Sequence, residues 1–353
     1  MNFRKSKTYV QDLITSCNHI KNMERLKNKS ICISGATGLI GSFIVDMLLE
    51  YNTIAQANIT IYAIGRSKER FTERFGNESS NLVFLQHDVC YPFESDFEFQ
   101  YIIHAASNAY PKIIVNDPVG TIMANINGTK ELLEYGRHHG MIKFLYVSSG
   151  EVYGELDSES NAYKEDFCGY INTLDPRSCY PISKRTAENL CISYAKQYGM
   201  DVSIVRPSHT YGPNFIQDDN RATVQFVNNI LKGENIVLKS SGNQLRSYTY
   251  IADCASAILF VLLNGINCEA YNISNSNSIV SIADFAKILA ELENKEVTFT
   301  EPDKAETAQR SPFSKQVLCS DKLEQLGWNG DFDINKGIQK TITILKEIKR
   351  IYA

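Results

Sequence analysis

Residues 30–50 read SICISGATGLIGSFIVDMLLE, and this stretch decides the fold. Ser30–Ser34 is apolar at its centre, which predicts a buried strand. Gly35–Gly41 holds three glycines at a spacing of three residues, and Ser42–Glu50 has the composition of a helix. Glycines let the backbone turn tightly and approach a pyrophosphate, while the helix N-terminus contributes amide donors and a partial positive charge. The spacing differs from the simplest dinucleotide fingerprint, yet strand, turn and helix stand in the order of a dinucleotide-binding unit.

Apolar runs and helical segments alternate along the first two thirds of the chain. This alternation predicts an α/β fold, a doubly wound parallel sheet of the Rossmann type. The predicted strands lie at residues 30–34, 59–64, 82–85, 101–104, 144–148 and 202–205, and the intervening helices include 42–50, 119–139 and 181–198. Residues 206–221 have few periodic apolar positions, so we expect a loop there that leads into a smaller part of the molecule.

Composition limits the classes of function. The chain has 353 residues, 43% of them hydrophobic, and a formal charge of −4, so it can bury a sizeable core and has no general affinity for nucleic acid or anionic membranes. Its nine cysteines show no metal-ligand spacing, which argues against a zinc site and a disulfide scaffold. No apolar run has the length of a signal or membrane helix, and we expect a cytoplasmic enzyme with reduced cysteines and no metal.

Two short motifs predict the chemistry. Ser149 and Glu151 follow an apolar strand, which delivers them to the carboxyl end of the sheet. Tyr180 and Lys184 lie four residues apart at the start of a predicted helix, and therefore on one face of it. A phenol beside an ammonium group has its ionised form favoured, so Tyr180 can take a proton from an alcohol while Ser149 binds the same oxygen. A helix-surface tyrosine near a solvated lysine is the alternative, but the upstream glycine motif makes the catalytic interpretation the better one.

These motifs and several others resemble those of the extended short-chain dehydrogenases/reductases, specifically the nucleotide-sugar epimerase/dehydratase/decarboxylase group. The resemblance runs from about Lys29 almost to the C-terminus. It rests on Gly35–Gly41, His87–Val89, Ile103–Ala106, Asn125–Thr129, Ser149 with Tyr180 and Lys184, Val205–Pro213, Arg246–Asp253 and Leu326–Trp328.

The sequence predicts an organisation in three parts, of which the resemblance implies the second and third along the chain. Residues 29–205 would form the NAD(P)-binding Rossmann domain. Residues 206–353 would form mainly a substrate-binding subdomain, with segments that return to the sheet. We expect residues 1–28 to form an N-terminal helical extension, and we assign no function to it. The group also implies a homodimer, since the helices near 119–139 and 181–198 have more apolar positions than one covering face needs.

The resemblance further implies a bound NAD or NADP. The residues it assigns to the cofactor are Gly35, Thr37, Gly38, Leu39, Ile40, Gly41, Arg66, Asp88, Val89, Ala105, Ala106, Ser107, Asn125, Tyr180 and Lys184. Gly65 stands where an acidic residue would bind the adenosine ribose, and the neighbouring Arg66 could pair with a 2′-phosphate. Arg66 could equally lie on the adenine or in solvent. The residues therefore favour NADP, whereas the resembled enzymes favour NAD, and we lean to NAD.

The positions beside Ser149 bear on the reaction. The group oxidises the C4 hydroxyl of a sugar, and 4,6-dehydratases then use an aspartate that here is Gly150. Glu151 remains, as in the UDP-glucuronate decarboxylases, whose motif around Tyr180 the chain also resembles. We therefore expect catalytic roles for Ser149, Glu151, Tyr180 and Lys184, and oxidation followed by decarboxylation. A 4-epimerase, a 4,6-dehydratase and a catalytically silent dinucleotide-binding scaffold stay as alternatives.

A nucleoside-diphosphate sugar is the implied substrate. The residues assigned to it are Ser107, Ser149, Gly150, His209, Arg246 and Arg310. A guanidinium fork such as that of Arg246 suits phosphate recognition. His209 stands where the group usually has Asn, and Asn214 where the decarboxylases have Arg. The substrate could therefore differ from UDP-glucuronate.

Overall fold

The computed structural model describes residues 1–156, 160–216, 218–301 and 313–352. Its strands, in chain order, are β1 (Ser30–Ser34), β2 (Thr60–Gly65), β3 (Leu82–Gln86), β4 (Tyr101–His104), β5 (Lys143–Val147), β6 (Val202–Pro207), β7 (His209–Tyr211), β8 (Ile236–Leu238), β9 (Leu245–Tyr250), β10 (Glu269–Ile273), β11 (Ile279–Ser281), β12 (Val297–Phe299) and β13 (Lys315–Gln316). Its helices are α1 (Lys7–Asn18), α2 (Leu39–Ala55), α3 (Lys68–Phe75), α4 (Pro111–Asn116), α5 (Pro118–His138), α6 (Cys179–Tyr198), α7 (Ala222–Lys232), α8 (Ile251–Asn264), α9 (Ile282–Leu292), α10 (Asp321–Leu326) and α11 (Ile334–Tyr352). Among these helices none is long and apolar enough to span a bilayer.

Seven parallel strands form the main sheet, in the order β3-β2-β1-β4-β5-β6-β10. The chain moves outward from β1 to β3 and then returns to β4 on the other side of β1, so the direction of winding reverses between β1 and β4. The predicted doubly wound parallel sheet is confirmed. At such a reversal the carboxyl ends of the two strands leave a crevice, which is where open α/β sheets bind ligands.

The two faces of the sheet bury different residues, because successive side chains of a strand point to opposite sides. Ile103 and Leu145 belong to the apolar cluster that contains α2 and α8. Ile102 and Phe144, their immediate neighbours, belong to the cluster on the side of α5 and α6. Strands buried on both faces are apolar throughout, and this explains why the sequence pattern located them well.

A smaller part of the molecule surrounds β9. This strand pairs with β7, β11 and β13, and β8 pairs separately with β12. The prediction of a loop over residues 206–221 is wrong at its start, since β6 continues to Pro207 and His209–Tyr211 forms β7. A strand of three residues has no detectable periodicity, and β7 exists because it pairs with β9, with Tyr211 opposite Tyr250.

The N-terminal extension is packed into the core. Its helix α1 contacts α2, α8 and α11. The Tyr9 hydroxyl donates a hydrogen bond of 2.9 Å to Asp46 of α2, and Arg74 contacts the same carboxylate. The Tyr250 hydroxyl, at the end of β9, donates to Asp12 at 2.8 Å. The extension therefore joins the first helix after the glycine turn to the smaller part.

Candidate active site

A cavity of about 490 Å³ lies at the carboxyl edge of the main sheet. Its walls come from the glycine turn after β1, from the segments that follow β4, β5 and β6, and from α7, β8 and β9. Many of the site residues predicted from sequence line it: Gly35, Gly38, Leu39, Ile40, Gly41, Ala105, Ser107, Ser149, Gly150, Glu151, Tyr180, His209 and Arg246. The fold thus brings together residues that are more than two hundred positions apart in the chain.

The glycine turn fits a dinucleotide. Gly35 has a φ of +69°, in the left-handed region that favours glycine. A Cβ atom at Gly35 would lie 2.8 Å from the amide nitrogen of Ala106, and one at Gly41 would lie 2.3 Å from the carbonyl oxygen of Gly35. Gly38 is the N-cap of α2 and has no side chain to cover the amides of the first turn. A phosphate can therefore approach the backbone here, at the positive end of the helix.

The residues assigned to the adenine side stand apart from the cavity. Arg66 follows β2 with an exposed side chain, while Asp88 and the buried Val89 follow β3. The Asp88 carboxylate accepts a hydrogen bond of 3.0 Å from the amide two residues later, as a turn residue does. Thr37 and Ala106 also lie outside the cavity lining. Contact between these residues and a cofactor remains a prediction.

Asn125 connects the cofactor side of the cavity to the catalytic helix. Its side-chain oxygen accepts a hydrogen bond of 2.8 Å from Ser107, which follows β4. Its side-chain nitrogen donates to Ser183 of α6 at 2.9 Å. Asn125 is fully buried, so it positions two neighbours of the cavity without lining it.

The structure brings Ser149, Tyr180 and Lys184 together. Ser149 follows β5, and its hydroxyl is close enough to the phenol of Tyr180, in the first turn of α6, to lower the pKa of that phenol. The Lys184 ammonium lies 5.9 Å from the centre of the Tyr180 ring. It donates a hydrogen bond of 2.8 Å to the carbonyl oxygen of Val147 and lies over the ring of Tyr146. Both Tyr180 and Lys184 are buried, as the shared helix face predicts.

Burial controls the pKa values of this group. It lowers the pKa of Lys184 to about 7, against the opposing charge of Glu188. Burial, followed by the charge of Glu151, raises the pKa of Tyr180 to about 12, against the lowering effects of Ser149, Arg177 and Arg221. The expectation that the ionised phenol is favoured is therefore wrong for the protein by itself, because desolvation of the phenol outweighs the stabilising groups around it.

Glu151 and its neighbour Gly150 shape the wall beside Tyr180. The Glu151 carboxylate accepts a hydrogen bond of 3.1 Å from Arg177, the residue three positions before Tyr180. A Cβ atom at Gly150 would lie 3.1 Å from a methyl group of Leu318. The aspartate that dehydratases carry at this position would require Leu318 to move.

The predicted substrate residues differ in how they are held. Burial, followed by the charges of Arg246 and Arg221, lowers the pKa of His209 to about 3, so its imidazole is neutral at physiological pH. Arg246 donates to the carbonyl oxygens of Leu245, Ser314 and Phe313, at 2.9, 3.2 and 2.7 Å. Its contact with phosphate remains a prediction. Arg310 lies outside the described residues.

Sequence reasoning assigned no site role to Arg177 and Arg221, and it noted Asn214 only as a departure from the decarboxylases. Arg177 and Arg221 line the cavity, and Arg221 is paired with Asp219 through hydrogen bonds of 3.0 and 2.6 Å. Asn214 is buried and donates to the carbonyl oxygen of Leu39, at the start of α2. No motif signals these pairings, although Arg177 is part of the segment that resembles the decarboxylases.

Comparison with known proteins agrees with this geometry. The model of the NAD dependent epimerase/dehydratase family matches residues 31–274, from β1 to just after β10. The chain belongs to this family. It is therefore an NAD-dependent enzyme of the kind that includes nucleotide-sugar decarboxylases, epimerases and dehydratases.

Several curated relatives are similar over most of the chain. UDP-glucuronic acid decarboxylase 3 of Arabidopsis thaliana is 32% identical over 311 residues, which are 88% of this chain and 87% of the relative. UDP-glucuronic acid decarboxylase 1 of Xenopus tropicalis is 30% identical over 328 residues, which are 92% of this chain and 73% of the relative. These UDP-glucuronic acid decarboxylases thus align with both the main sheet and the smaller part around β9.

Solved structures of the family share the fold. A UDP-glucose 4-epimerase of Thermotoga maritima, solved with UDP-glucose, superposes with a TM-score of 0.75 at 23% identity, covering 92% of this chain and 100% of its own. A UDP-glucuronic acid 4-epimerase of Bacillus cereus, solved with UDP-glucuronic acid and NAD, gives 0.74 at 22% identity, covering 90% and 99%. The family's cofactor fits the glycine turn, and NAD(P), with NAD favoured, is the cofactor of this enzyme.

Proposed function

We propose that this protein decarboxylates a nucleoside-diphosphate uronate such as UDP-glucuronate, after oxidation at C4 of the sugar. One observation carries the proposal. The Glu151 carboxylate lies in the cavity wall beside Tyr180, the base for C4 oxidation, and is close enough to raise the pKa of Tyr180. The similarity to UDP-glucuronic acid decarboxylases supports the same activity.

The residues of the chain suit each proton transfer. Tyr180 takes the proton of the C4 hydroxyl, and Ser149 donates a hydrogen bond to the same oxygen. NAD(P), when bound, supplies the acceptor for the hydride of C4 and later returns it. With a ketone at C4, the C6 carboxylate belongs to a β-keto acid, and its bond to C5 breaks to release carbon dioxide. The electron pair passes to the enolate of C5 and C4.

Glu151 then has a defined task. Glu151 relays a proton from solvent to C5, and Tyr180 returns its own proton to the C4 oxygen as the ketone is reduced. The overall reaction consumes one proton from solvent, through Glu151, and converts the uronate to a pentose and carbon dioxide. The neutral His209 can offer a hydrogen bond to the sugar or diphosphate without adding charge.

The wall at Gly150 argues against dehydration. Removal of the C6 hydroxyl as water needs a proton donor, and the family's aspartate is absent at this position. A Cβ atom at this position would lie 3.1 Å from a methyl group of Leu318, so an aspartate would require that side chain to shift. A dehydratase would therefore need a different acid, and Asp219, the other carboxylate of the described cavity wall, is paired with Arg221.

A 4-epimerase is the second candidate. Asn214, which replaces the arginine of the decarboxylases, is used to hold the start of α2 instead of lining the cavity. The arginines Arg177 and Arg221 in the cavity wall are each paired with a carboxylate of the protein. Among the described arginines of the wall, Arg246 alone has no carboxylate partner, and we assign it to the diphosphate. Arg177 and Arg221 are then not free to bind a C6 carboxylate, which an epimerase does not need.

Mass spectrometry of products separates these functions. The purified protein is incubated with UDP-glucuronate, UDP-glucose, UDP-N-acetylglucosamine and dTDP-glucose, without and with added NAD or NADP. We expect loss of carbon dioxide from UDP-glucuronate. Unchanged mass with a changed sugar stereochemistry would identify an epimerase, loss of water a dehydratase, and no reaction with any substrate a binding protein. Comparison of NAD with NADP tests the role of Arg66.

We further infer the division of labour between the two parts. Residues 29–205 would hold the cofactor and residues 206–353 mainly the nucleotide and sugar. Limited mutagenesis tests this: Gly35→Ala should weaken cofactor binding, and Arg246→Lys should raise the KM for the nucleotide sugar. The reverse pattern would contradict the division.

We also infer a homodimer formed through α5. Val119 and Met123, one turn apart on this helix, are 66% and 42% exposed, which is unusual for apolar side chains of a helix that is otherwise well packed. Sedimentation at micromolar concentration should give the mass of two chains, and Met123→Glu should give one. A monomeric native protein would contradict the inference.

We infer a cytoplasmic location from cysteine usage. The nine cysteines are unpaired, and those in the core are held as thiols among apolar side chains. Fractionation of cells that produce the protein, with antibody detection, tests the location. Recovery in an oxidising compartment would contradict it.

A further inference from the structure

Arg177 and Glu151 form an ion pair in the wall of the cavity. The Nη2 atom of Arg177 lies 3.1 Å from the Oε1 atom of Glu151, and both side chains are largely buried, with 11% and 19% of their surfaces exposed. Glu151 stands in the turn after β5, and Arg177 in the turn that leads into α6. The pair therefore connects the two motifs that carry the catalytic residues.

Within the described part of the chain, Arg177 is the only charged side chain that forms a hydrogen bond with the Glu151 carboxylate. The Oε2 atom of Glu151 and the Nε atom of Arg177 are buried and have no hydrogen-bond partner there. Arg177 is itself fixed by its backbone, because its amide donates a hydrogen bond of 2.9 Å to the side chain of Asp175. The position of the Glu151 carboxylate thus depends on the Arg177 guanidinium, while Arg246 of β9 faces the same carboxylate at longer range and adds a second positive charge.

Charged groups from several elements surround the phenol of Tyr180. Burial and the charge of Glu151 raise the pKa of Tyr180, whereas Ser149, Arg177 and Arg221 lower it. Arg221, from the loop before α7, is bound to Asp219, so its charge is compensated. Lys184, on the same helix as Tyr180, is 5.9 Å from the ring. An uncompensated carboxylate at Glu151 would oppose formation of the phenolate.

We propose that Arg177 is a positioning residue whose guanidinium fixes the Glu151 carboxylate beside Tyr180 and compensates its charge, so that one cavity can hold both a phenol that acts as a base and a carboxylate that acts later. The proposal rests on the oxidation of C4 by Tyr180 in the proposed function, but not on the decarboxylation that follows. Arg177 acts through its neighbours and need not touch the substrate.

The proposal predicts opposite effects for the two members of the pair. Arg177→Met leaves the Glu151 charge uncompensated, so the pKa of Tyr180 rises by about one unit. Glu151→Gln removes the charge, so the pKa of Tyr180 falls by a similar amount. Because the rate of a reaction that needs the phenolate follows its concentration below the pKa, C4 oxidation at pH 8 becomes about tenfold slower in the first variant and about tenfold faster in the second.

The experiment measures formation of the 4-keto sugar in a single turnover between pH 6 and pH 9.5. The variants are Arg177→Met, Arg177→Lys, Glu151→Gln and the double variant Arg177→Met with Glu151→Gln. The double variant should recover the wild-type rate to within about threefold, and Arg177→Lys should stay near wild type. Arg137→Met, which removes the exposed partner of Glu134 on α5, is the matched control and should change nothing.

A second measurement needs neither substrate nor turnover. Protein labelled with 13C at the ζ carbon of tyrosine is titrated by NMR, and Tyr180→Phe identifies the resonance. The pH at which the Tyr180 signal begins to move should be higher in Arg177→Met and lower in Glu151→Gln than in wild type.

The outcomes are separable. Equal or same-direction effects of the two single variants, or a double variant that is as slow as Arg177→Met, would overturn the role of Arg177 and leave it a structural residue. If the wild type oxidises no nucleotide sugar, the proposed function fails, and the NMR titration alone decides whether Arg177 controls the phenol.

Discussion

The ammonium group of Lys184 donates a hydrogen bond of 2.8 Å to the carbonyl oxygen of Val147, the last residue of β5. This bond joins the helix that carries Tyr180 to the strand that delivers Ser149. The same burial that makes the contact strong also disfavours the charge on Lys184, whose pKa falls to about 7.

The first prediction is a pH dependence of stability that belongs to Lys184. In the unfolded chain a lysine keeps its ordinary pKa near 10.4, so between about pH 7 and 10.4 the unfolded state binds a proton that the folded state lacks. The free energy of unfolding therefore rises with pH in this window because of Lys184. Lys184→Met removes this contribution, so the difference between wild type and variant should change by about 1.4 kcal/mol for each pH unit.

Urea unfolding of the protein without cofactor, at pH 7, 8 and 9, measures this slope. Lys196→Met is the matched control, since Lys196 is an exposed lysine of the same helix and should leave the slope unchanged. A constant difference between wild type and Lys184→Met at all three pH values would mean that Lys184 keeps its proton on folding.

The second prediction concerns Tyr180. Tyr180→Phe removes the proton acceptor and keeps the ring, so we expect a folded protein whose turnover is at least about a hundredfold lower. The loss should appear in kcat and not in the affinity for cofactor. Tyr194→Phe, a buried tyrosine of the same helix that lies outside the cavity, should retain activity. Normal turnover by Tyr180→Phe would exclude the proposed oxidation.

The third prediction separates two effects at Gly35. Gly35→Ala places a Cβ atom on a backbone with positive φ and also 2.8 Å from the amide of Ala106. Gly140→Ala has a similar φ of +66° but nothing within 4 Å. Both variants should lose about 1–2 kcal/mol from backbone strain, which thermal unfolding measures.

Cofactor binding distinguishes the two variants. Only Gly35→Ala pushes apart the turn after β1 and the segment after β4, so only this variant should lose affinity for NAD by calorimetry, by about tenfold or more. Equal affinities in the two variants would mean that the turn does not contact the cofactor.

Local sequence was enough to predict the dinucleotide unit. A largely buried strand, a glycine turn and a helix are contiguous in Ser30–Ala55, and each is recognisable without its neighbours. Ser149, Tyr180 and Lys184 were predicted for a related reason, because a strand end and a helix start each present their chemistry within a few residues.

Tertiary pairing explains what the sequence did not predict. Arg177 meets Glu151 only because the turn before α6 folds back on the turn after β5, 26 residues away. The strands β7, β11 and β13 have two or three residues each, and each forms because it pairs with β9. The role of α1 follows from Tyr9 and Asp12, whose partners Asp46 and Tyr250 lie far along the chain. The pKa of Tyr180 depends on burial, which no spacing of residues expresses.

The last prediction distinguishes decarboxylation from epimerisation through Glu151. A 4-epimerase oxidises C4, allows the ketone to turn and reduces it on the other face, and none of these steps needs an ionisable group at Glu151. A decarboxylase must also return a proton to C5 after carbon dioxide leaves. Glu151→Gln keeps the size and hydrogen bonding of the side chain but cannot carry that proton. We expect this variant to oxidise UDP-glucuronate and then to stall.

Quenched-flow sampling with mass spectrometry detects the stalled species. In the decarboxylase, Glu151→Gln should accumulate 4-keto products bound to the protein, while release of the UDP-pentose falls by at least about a hundredfold. Glu155→Gln, a change of an exposed glutamate four residues further along, should behave as wild type. Full turnover by Glu151→Gln would mean that its carboxylate only supports the wall of the cavity together with Arg177. The 4-epimerase would then be the better assignment, because its reaction is the one that Ser149, Tyr180 and Lys184 can complete without a further acid.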